Sequence, residues 1–310
     1  MKPQLLVLIP LRDHAHAQLA DAFDVVYAPG PDERSHAITE RGAAVRAVLT
    51  NGTTGLLADE IARLPNLEFV GALGAGYENV AVADARSRGI VVVNGAGTNG
   101  DCVADHAFAL LLAAVRGVAR LDAACRAGVW RDALPMPPNV SGKKLGIVGL
   151  GSIGQKVARR AAGFDLEIGY HNRTSREGVA YRYFAELETL ARWADFLVVA
   201  TPGGAATRHL IDARILGALG EHGFLVNVSR GSVVDTAALA DALRAGRIAG
   251  AGLDVYEGEP EPPSALTGLD NVVLTPHMGG WSPEAFDRSV RQFLDNAARH
   301  FAGQPVLTPI

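Results

Sequence analysis

Short runs of apolar residues alternate with helical patterns along almost the whole chain. In the first third, runs rich in Val, Ile and Leu predict strands at residues 5–9, 25–27, 47–49, 69–72 and 90–93. Helix-forming or turn-rich stretches separate these runs, which is typical of a parallel sheet with crossover helices. We therefore expect one complete α/β unit before Asn99.

A helical pattern then leaves this unit. From Asp101 onward, apolar residues follow helical spacing at Val103, Ala107, Leu110, Leu111, Ala114 and Val118. We predict one long amphipathic helix here and place the first domain crossing near Asn99. After a Pro-rich segment at residues 135–138, a second series of strands is predicted at residues 145–148, 166–170, 196–200, 224–228 and 272–274. These strands predict a second doubly wound sheet.

One further helical pattern runs from Glu284 to Phe301. It is too short to fold alone, so we expect it to return and pack on the first unit. The predicted fold class is α/β with two doubly wound parallel-sheet domains. Residues 1–98 with 283–310 form one predicted domain, and residues 99–282 form the other.

Composition and charge exclude several classes of partner. The 310 residues suffice for two buried cores, and a net charge of −4 from interspersed acids and bases leaves no basic stripe for nucleic acid. The apolar run at residues 5–9 is ended by Pro10, so it is too short for a signal peptide or a membrane span. We expect a cytoplasmic protein with no nucleic-acid or membrane partner.

The two cysteines, Cys102 and Cys125, stand apart from each other and from any His at ligand spacing. Neither a disulfide framework nor a zinc site is suggested by this placement. We expect both thiols to be reduced and structural, and we predict no metal site.

The sequence GLGSIG, from Gly149 to Gly154, lies between the apolar run at residues 145–148 and a helical pattern. Gly149 permits a tight turn, Gly151 lets the backbone approach a pyrophosphate, and Gly154 lets the helix pack closely on the strand. Ser152 and Ile153 begin that helix. An ordinary Gly-rich turn is the alternative, but the strand-loop-helix setting favours a dinucleotide site.

The end of the next predicted strand indicates which dinucleotide is bound. An acidic residue there would bind the ribose 2′-OH of NAD, but the sequence is Tyr-His-Asn-Arg-Thr at residues 170–174. Arg173, with Asn172 and Thr174 beside it, is placed to hold a 2′-phosphate. A solvated loop with an incidental Arg is the alternative. We predict NADP(H) as the cofactor.

Three polar residues follow at or just beyond strand ends, where open α/β sheets bind ligands. Arg230 can grip a carboxylate bidentately, and His277 is of the residue type whose unperturbed pKa, about 6.5, suits proton transfer. Glu259 would raise the pKa of a neighbouring imidazole. Individually, each has a simpler interpretation: a surface ion-pair partner for Arg230, a solvated charge for Glu259 or Glu257, and a loop histidine for His277. Together they predict a catalytic set.

The motifs GLGSIG, NVSRGSVVD, GAGLDVYEGEP and TPHMGG, with GALGAGYENV and VADHAFALLL upstream, resemble those of the D-isomer-specific 2-hydroxyacid dehydrogenases in order and separation. The resemblance covers nearly the whole chain. It implies a Rossmann-like nucleotide domain at residues 99–282 and a flavodoxin-like substrate domain at residues 1–98 and 283–310. One departure is Asp105, where many members carry Glu.

The resemblance also implies roles for particular residues. Arg230 would bind substrate, His277 would be the general acid/base, and Glu259 would be its partner. The amides of Ala75 and Gly76 would hold the substrate carboxylate, and the loop at Asn51 and Gly52 would close beside them. The nicotinamide and ribose region would be lined by Thr201, Pro202, Val228, Ser229, Asp254 and Gly279.

The sequence at residues 171–173 is similar to that of NADP-using members that reduce glyoxylate and hydroxypyruvate. Reduction of a small 2-keto acid to a D-2-hydroxy acid is therefore the expected activity. Phenylpyruvate-like acids and 2-ketogluconate stay open as substrates, since pocket size depends on Leu73, Tyr77 and residues near Trp281. Formate, phosphite or 3-phosphoglycerate chemistry is a rival on the same scaffold, and so is a dinucleotide-sensing regulator.

The segment from Trp130 to Asn139 is implied by the resemblance to be part of a dimer arm. A lone Trp is more often a core residue, so both interpretations stay open here. We expect a homodimer.

Overall fold

The computed structural model describes residues 2–310 and divides the chain into two compact units. The first unit comprises the residues up to Asn99 together with Gly280–Ile310, and the second comprises Gly100–Gly279. From the sequence, the two domain boundaries are predicted after residue 98 and after residue 282. Each unit contains one parallel sheet, so the predicted fold class is confirmed.

The first unit is built on a five-stranded parallel sheet in the order β2-β1-β3-β4-β5. Its strands are β1 Gln4–Val7, β2 Asp24–Tyr27, β3 Val45–Asn51, β4 Phe69–Leu73 and β5 Val91–Asn94. Its helices are α1 Asp13–Ala22, α2 Pro31–Arg41, α3 Ala58–Ala62, α4 Val82–Ser87 and, from the end of the chain, α11 Pro283–Phe301. This strand order is that of flavodoxin-like sheets.

Helix α11 packs directly on the first sheet. Phe293 lies within 5.6 Å of Phe69 and 6.1 Å of Phe23, measured between ring centroids, and is 3% exposed. A Cβ on Gly71 in β4 would lie 2.3 Å from the Phe293 ring, so the ring needs a glycine beneath it. The last helix thereby completes the core of the first unit.

The second unit is built on a seven-stranded parallel sheet in the order β12-β11-β10-β9-β6-β7-β8. Its strands are β6 Lys144–Val148, β7 Glu167–His171, β8 Arg182–Tyr183, β9 Phe196–Val199, β10 Phe224–Asn227, β11 Gly250–Leu253 and β12 Val272–Leu274. Its helices are α5 Gly100–Arg116, α6 Val118–Arg126, α7 Ser152–Ala161, α8 Leu187–Trp193, α9 Ala213–Leu219 and α10 Thr236–Arg244. Such an order places the loop after β6 at the point where the strand order reverses.

Strands β8 and β11 were not predicted from the sequence. Strand β8 has only two residues, and β11 has the sequence GAGL, which lacks the usual β-branched residues. The glycine content of β11 has a packing reason, because a Cβ on Gly252 would lie 2.9 Å from Cβ of Leu110 in α5. The helix and the strand approach too closely for a side chain at that position.

The prediction of one continuous helix from Asp101 through Val118 is wrong. Helix α5 ends at Arg116, and Gly117 adopts a left-handed conformation with φ of 63° before α6 begins at Val118. Val118 is 53% exposed, so it does not continue the buried stripe of α5. Within residues 2–310, no single helix is long and apolar enough to cross a membrane; α5 and α6 together reach that length but are bent by 58°.

Both thiols are free, as expected. Cys102 is half-buried in α5, whereas Cys125 is exposed on α6 and therefore contributes nothing to a core, contrary to the structural role expected for it. Among the described residues, no group of three or more His, Cys, Asp and Glu side chains could hold a metal ion.

The contact between α11 and the first sheet leads to a stability prediction. Phe293→Ala should lower the free energy of unfolding by about 3–5 kcal/mol, because it removes a buried aromatic ring and leaves a cavity above Gly71. Urea denaturation followed by circular dichroism would measure the change. Leu57→Ala, which shortens a side chain on a residue that is 54% exposed, is the control and should change the value by less than about 0.5 kcal/mol. A loss in Phe293→Ala no larger than in the control would contradict the prediction.

Candidate active site

The Gly-rich loop between β6 and α7 has the geometry of a dinucleotide-binding turn. Gly149 has a φ of +97°, and a Cβ there would lie 2.8 Å from the amide nitrogen of Thr201. A Cβ on Gly154 would lie 2.2 Å from the carbonyl oxygen of Gly149, whereas a Cβ on Gly151 would meet no atom within 4 Å. Gly149 and Gly154 are therefore required by packing, and Gly151 leaves space beside the backbone.

The residues of this loop fit a dinucleotide. Space at Gly151 allows a pyrophosphate to approach the backbone, and the N-terminus of α7, which begins at Ser152 and Ile153, faces the loop with no acidic side chain in its first turn. Both the backbone shape and the helix dipole therefore favour an anionic group at this position.

Asn172, at the end of β7, holds the Gly-rich loop in place. Its Oδ1 accepts a hydrogen bond of 2.7 Å from the amide of Leu150. The carbonyl oxygen of the side chain is thus committed to the loop, while the neighbouring Arg173 and Thr174 are exposed. Arg176, which the sequence analysis did not single out, donates from its guanidinium to the carbonyl oxygen of Leu150 at 3.3 Å.

The residues predicted to line the nicotinamide follow β9 and β10. The backbone of Thr201 packs against Gly149, and the carbonyl oxygen of Pro202 accepts a hydrogen bond from Thr207. Val228 and Ser229 are buried, and Ser229 donates through both its amide and its hydroxyl group to Oδ1 of Asn227. These contacts set the shape of the strand ends next to the Gly-rich loop.

His277 and Glu259 form an ion pair. Nδ1 of His277 lies 2.7 Å from Oε2 of Glu259, and the other carboxylate oxygen of Glu259 accepts from the amide of Tyr256 at 2.8 Å. The Glu259 hydrogen bond raises the pKa of His277, and the Glu259 charge adds to this, while burial and the charge of Arg230 oppose it. The imidazolium form is therefore favoured, with its Nδ1 held by Glu259.

Arg230 lies close enough to His277 for its charge to act on that imidazole. Its guanidinium donates a 2.6 Å hydrogen bond to the carbonyl oxygen of Ser229, and its Cγ would lie 2.7 Å from a Cβ on Gly203. A Cβ on Gly231 would lie 2.0 Å from the backbone of Tyr256. The turn that carries Arg230 is thus packed tightly against the segment that leads to Glu259.

The loop that carries His277 is organised by Asp254. The amide of His277 donates to the carbonyl oxygen of Asp254 at 2.8 Å, and φ of His277 is +55°, in the left-handed region. The Asp254 carboxylate accepts from the amides of Met278 and Gly279, both at 2.7 Å, and from the hydroxyl group of Thr275 at 2.6 Å. Asp254 and Gly279, which the family resemblance implies are cofactor-lining, therefore also build the loop that carries His277.

Burial raises the pKa of the Asp254 carboxyl, but hydrogen bonds from His106, Thr275 and the amides of Gly279 and Met278 outweigh it, and the pKa lies below its ordinary value. Asp254 is 2% exposed, so solvent contributes little to holding the charge. The carboxylate is stabilised almost entirely by these donors.

A second pair, His209 and Glu257, was missed from the sequence. Nε2 of His209 lies 2.8 Å from Oε1 of Glu257, and Oε2 of Glu257 accepts from the amide of Thr236. Burial opposes the charge on Glu257, but the hydrogen bonds from His209 and Thr236 lower its pKa. The interpretation of Glu257 as a solvated charge is therefore wrong, since the side chain ties together the loops on either side of Arg230.

The predicted substrate loops lie in the first unit and contact each other there. Oδ1 of Asn51 accepts from the amides of Thr53 and Thr54, and a Cβ on Gly52 would lie 2.7 Å from the backbone of Gly76. Nδ2 of Asn94 donates to the carbonyl oxygen of Ala75 at 2.8 Å. The two backbone segments thus form one surface at the carboxyl ends of β3 and β4.

Arg34 and Glu60 support the loop after Asn51, and nothing in the sequence analysis indicated them. The guanidinium of Arg34 pairs with Glu60 and donates to the carbonyl oxygens of Thr54 at 3.2 Å and Gly55 at 3.3 Å. Among the residues expected to set the pocket size, Leu73 is half-buried at the end of β4, while Tyr77 and Trp281 are 40% and 63% exposed.

Comparisons with known proteins agree with this geometry. Residues 108–279 match the model of the family described as D-isomer specific 2-hydroxyacid dehydrogenase, NAD binding domain. Glyoxylate/hydroxypyruvate reductase A of Arabidopsis thaliana is 36% identical over 307 residues, covering 99% of this chain and 98% of that protein. A 2-ketogluconate reductase of Gluconobacter oxydans strain 621H is 36% identical over 310 residues, covering 100% of this chain and 99% of that protein.

The structures agree as well. The crystal structure of an NADPH-dependent glyoxylate/hydroxypyruvate reductase from Sinorhizobium meliloti, in complex with NADP and malonate, has a TM-score of 0.92 and 37% sequence identity, covering 100% of this chain and 97% of that chain. Sequence, fold and the geometry of the loop that carries His277 lead to one conclusion: this chain belongs to the D-isomer-specific 2-hydroxyacid dehydrogenase family.

Proposed function

We propose that the chain reduces small 2-keto acids, of which glyoxylate and hydroxypyruvate are the expected ones, to D-2-hydroxy acids with NADPH. The observation that carries this proposal is the ion pair between His277 and Glu259, with the Arg230 charge acting on it, in the unit that holds the Gly-rich loop. The two relatives and the Sinorhizobium meliloti protein are all named as reductases, which supports the reaction class.

The bound nicotinamide supplies a hydride, and the chain must supply a proton to the alkoxide oxygen that forms. Because Glu259 occupies Nδ1 of His277, the proton is delivered from Nε2. The Glu259 carboxylate stabilises the imidazolium before the transfer. The guanidinium of Arg230 grips the substrate carboxylate and polarises the adjacent keto oxygen.

Arg173 and Thr174 are the proposed ligands of the 2′-phosphate that distinguishes NADPH from NADH. Both are exposed at the end of β7, and no carboxylate stands at residues 170–174 to repel a phosphate. The amides of Ala75 and Gly76, with the loop at Asn51 and Gly52, stay the predicted ligands of the substrate carboxylate.

The segment that follows α6 is proposed to lie in a homodimer interface. Trp130 is 70% exposed and Met136 is 96% exposed, so Trp130 is not a core residue of its own unit. Large apolar side chains exposed on one segment are typical of a surface that another protein covers.

A substrate panel tests the proposed reaction directly. Oxidation of NADPH should be rapid with glyoxylate and hydroxypyruvate and slower with phenylpyruvate and 2-ketogluconate, and it should fall strongly when NADH replaces NADPH. Absorbance of the reduced nicotinamide gives the rates, with His277→Gln as the inactive control. Tight NADPH binding without turnover of any keto acid would favour the regulator. Reduction of added NADP+ by formate or phosphite, in place of keto-acid turnover, would overturn the proposed substrate class.

The cofactor preference is predicted to depend on Arg173. Arg173→Asp should lower the ratio of kcat/KM for NADPH over NADH by about 10- to 100-fold, because it replaces a charge-assisted hydrogen bond with repulsion of the phosphate. Steady-state kinetics with both cofactors would measure the ratio. Arg86→Asp, the same change at an exposed position on α4, is the control and should leave the ratio unchanged. An unchanged ratio in Arg173→Asp would refute the assignment.

The pH dependence of reduction is predicted to follow His277. The reaction needs the protonated imidazole, so kcat/KM should fall as pH rises through the raised pKa of His277. Glu259→Gln removes the counter-charge and should therefore move this fall to lower pH. Glu261→Gln, at an exposed acid two residues along, is the control. The role of Glu259 is rejected if both variants give the same pH-rate profile as the unaltered protein.

A further inference from the structure

His106 lies in the segment VADHAFALLL, to which the proposed reaction gives no chemical role. It belongs to α5, and its side chain is 20% exposed. Nε2 of His106 lies 2.8 Å from Oγ1 of Thr275 and 3.1 Å from Oδ1 of Asp254. The helix thus contributes a polar side chain to the segment that leads from β12 to His277.

The protons in this cluster have one consistent arrangement. A hydroxyl group has a single hydrogen, and Thr275 donates it to Oδ1 of Asp254 at 2.6 Å. Oγ1 of Thr275 can then only accept from His106, so Nε2 of His106 carries a hydrogen. The hydrogen bonds therefore run in one direction, from the imidazole through the hydroxyl group to the carboxylate.

Asp254 connects this chain of hydrogen bonds to the loop that carries His277. Its carboxylate holds the amides of Met278 and Gly279, and its carbonyl oxygen holds the amide of His277. A non-glycine residue at a φ of +55° is strained, so the surrounding hydrogen bonds must keep His277 in that conformation. Without them the backbone would relax toward ordinary angles and turn the imidazole away from Glu259.

We propose that His106 is a positioning residue for the reduction, which through Thr275 and Asp254 holds the His277 imidazole against Glu259. This proposal rests on the proposed role of His277 as proton donor. His106 does not itself touch the reacting atoms in this account. Its effect reaches the reaction only through the backbone of residues 275–279.

The charged groups that act on His277 define what should change when the cluster is broken. Glu259 and Asp254 favour the imidazolium, and Arg230 opposes it. If the loop relaxes, the Nδ1 contact with Glu259 lengthens while the Arg230 charge remains. The pKa of His277 should then fall, and the fall of kcat/KM at high pH should move to lower pH.

Two variants test the proposal in the full-length chain. His106→Phe keeps a ring of similar size and removes the donor, whereas Thr275→Val keeps the shape and removes the hydroxyl group. Each should lower kcat for keto-acid reduction by about 10-fold or more. In each, NMR titration of the labelled His277 imidazole, recorded without substrate or cofactor, should show a lower pKa.

Asn271→Leu is the matched control. It removes a half-buried side-chain hydrogen bond, from Nδ2 of Asn271 to the carbonyl oxygen of Leu243 at 3.2 Å, at the other end of β12. It should lower the melting temperature without moving the His277 titration. A general loss of packing would give the same result in all three variants, whereas a positioning role moves the titration in only two.

The result that overturns the proposal is a His277 titration that matches the unaltered protein in the two variants, with kcat no lower than in the control. If His106→Phe does not fold, Thr275→Val alone decides. Glu259→Gln separates this proposal from the proposed reaction. A lowered His277 pKa in His106→Phe, together with an unchanged pH-rate profile in Glu259→Gln, would leave the hold of His106 on the imidazole standing and reject the role proposed for Glu259 in the reaction.

Discussion

The carboxylate of Asp254 is buried, and it keeps its charge only because donors from its own unit surround it. Two of those donors are backbone amides of the loop after β12, and two are the side chains of Thr275 and His106. Removing water strengthens each of these contacts and makes each costly to lose. The loop that carries His277 has one low-energy arrangement as a result, and the Glu259 contact depends on it.

Close packing between helices and strands also supports the arrangement of the loop that carries His277. Gly252 in β11 allows Leu110 of α5 to lie directly on the strand, and this contact brings His106, on the same helix, to the end of β12. Gly231 allows the Arg230 turn to lie against Tyr256, one of whose backbone groups holds Glu259. The side chains proposed to act in the reaction are therefore positioned by backbone segments that approach one another where no Cβ intervenes.

Much of the fold could be predicted, because buried parallel strands appear in the sequence as runs of apolar residues. Strands β8 and β11 lack such runs and could not be predicted. Strand β8 is short, and β11 has glycine where a helix packs against it. The break after α5 was missed because Val118 continues the helical spacing although Gly117 turns the chain. The motif positions of Arg230, Glu259 and His277 could be read from the sequence, but their supports could not. His106, His209 and Arg34 act through partners 20 to 169 positions away along the chain, a relation that no local pattern contains.

The loop after β7 divides its residues between two tasks. Asn172 is tied to the Gly-rich loop, while Arg173 and Thr174 are exposed and lie outside the packed core. Substitutions at the two exposed positions should therefore change the free energy of unfolding only slightly. If they select the dinucleotide as proposed, a lineage could exchange one hydride donor for the other by a few surface changes, while the hydrogen bonds around His277 are inherited intact. The choice of dinucleotide and the geometry of the reaction site would then evolve at different rates within one domain.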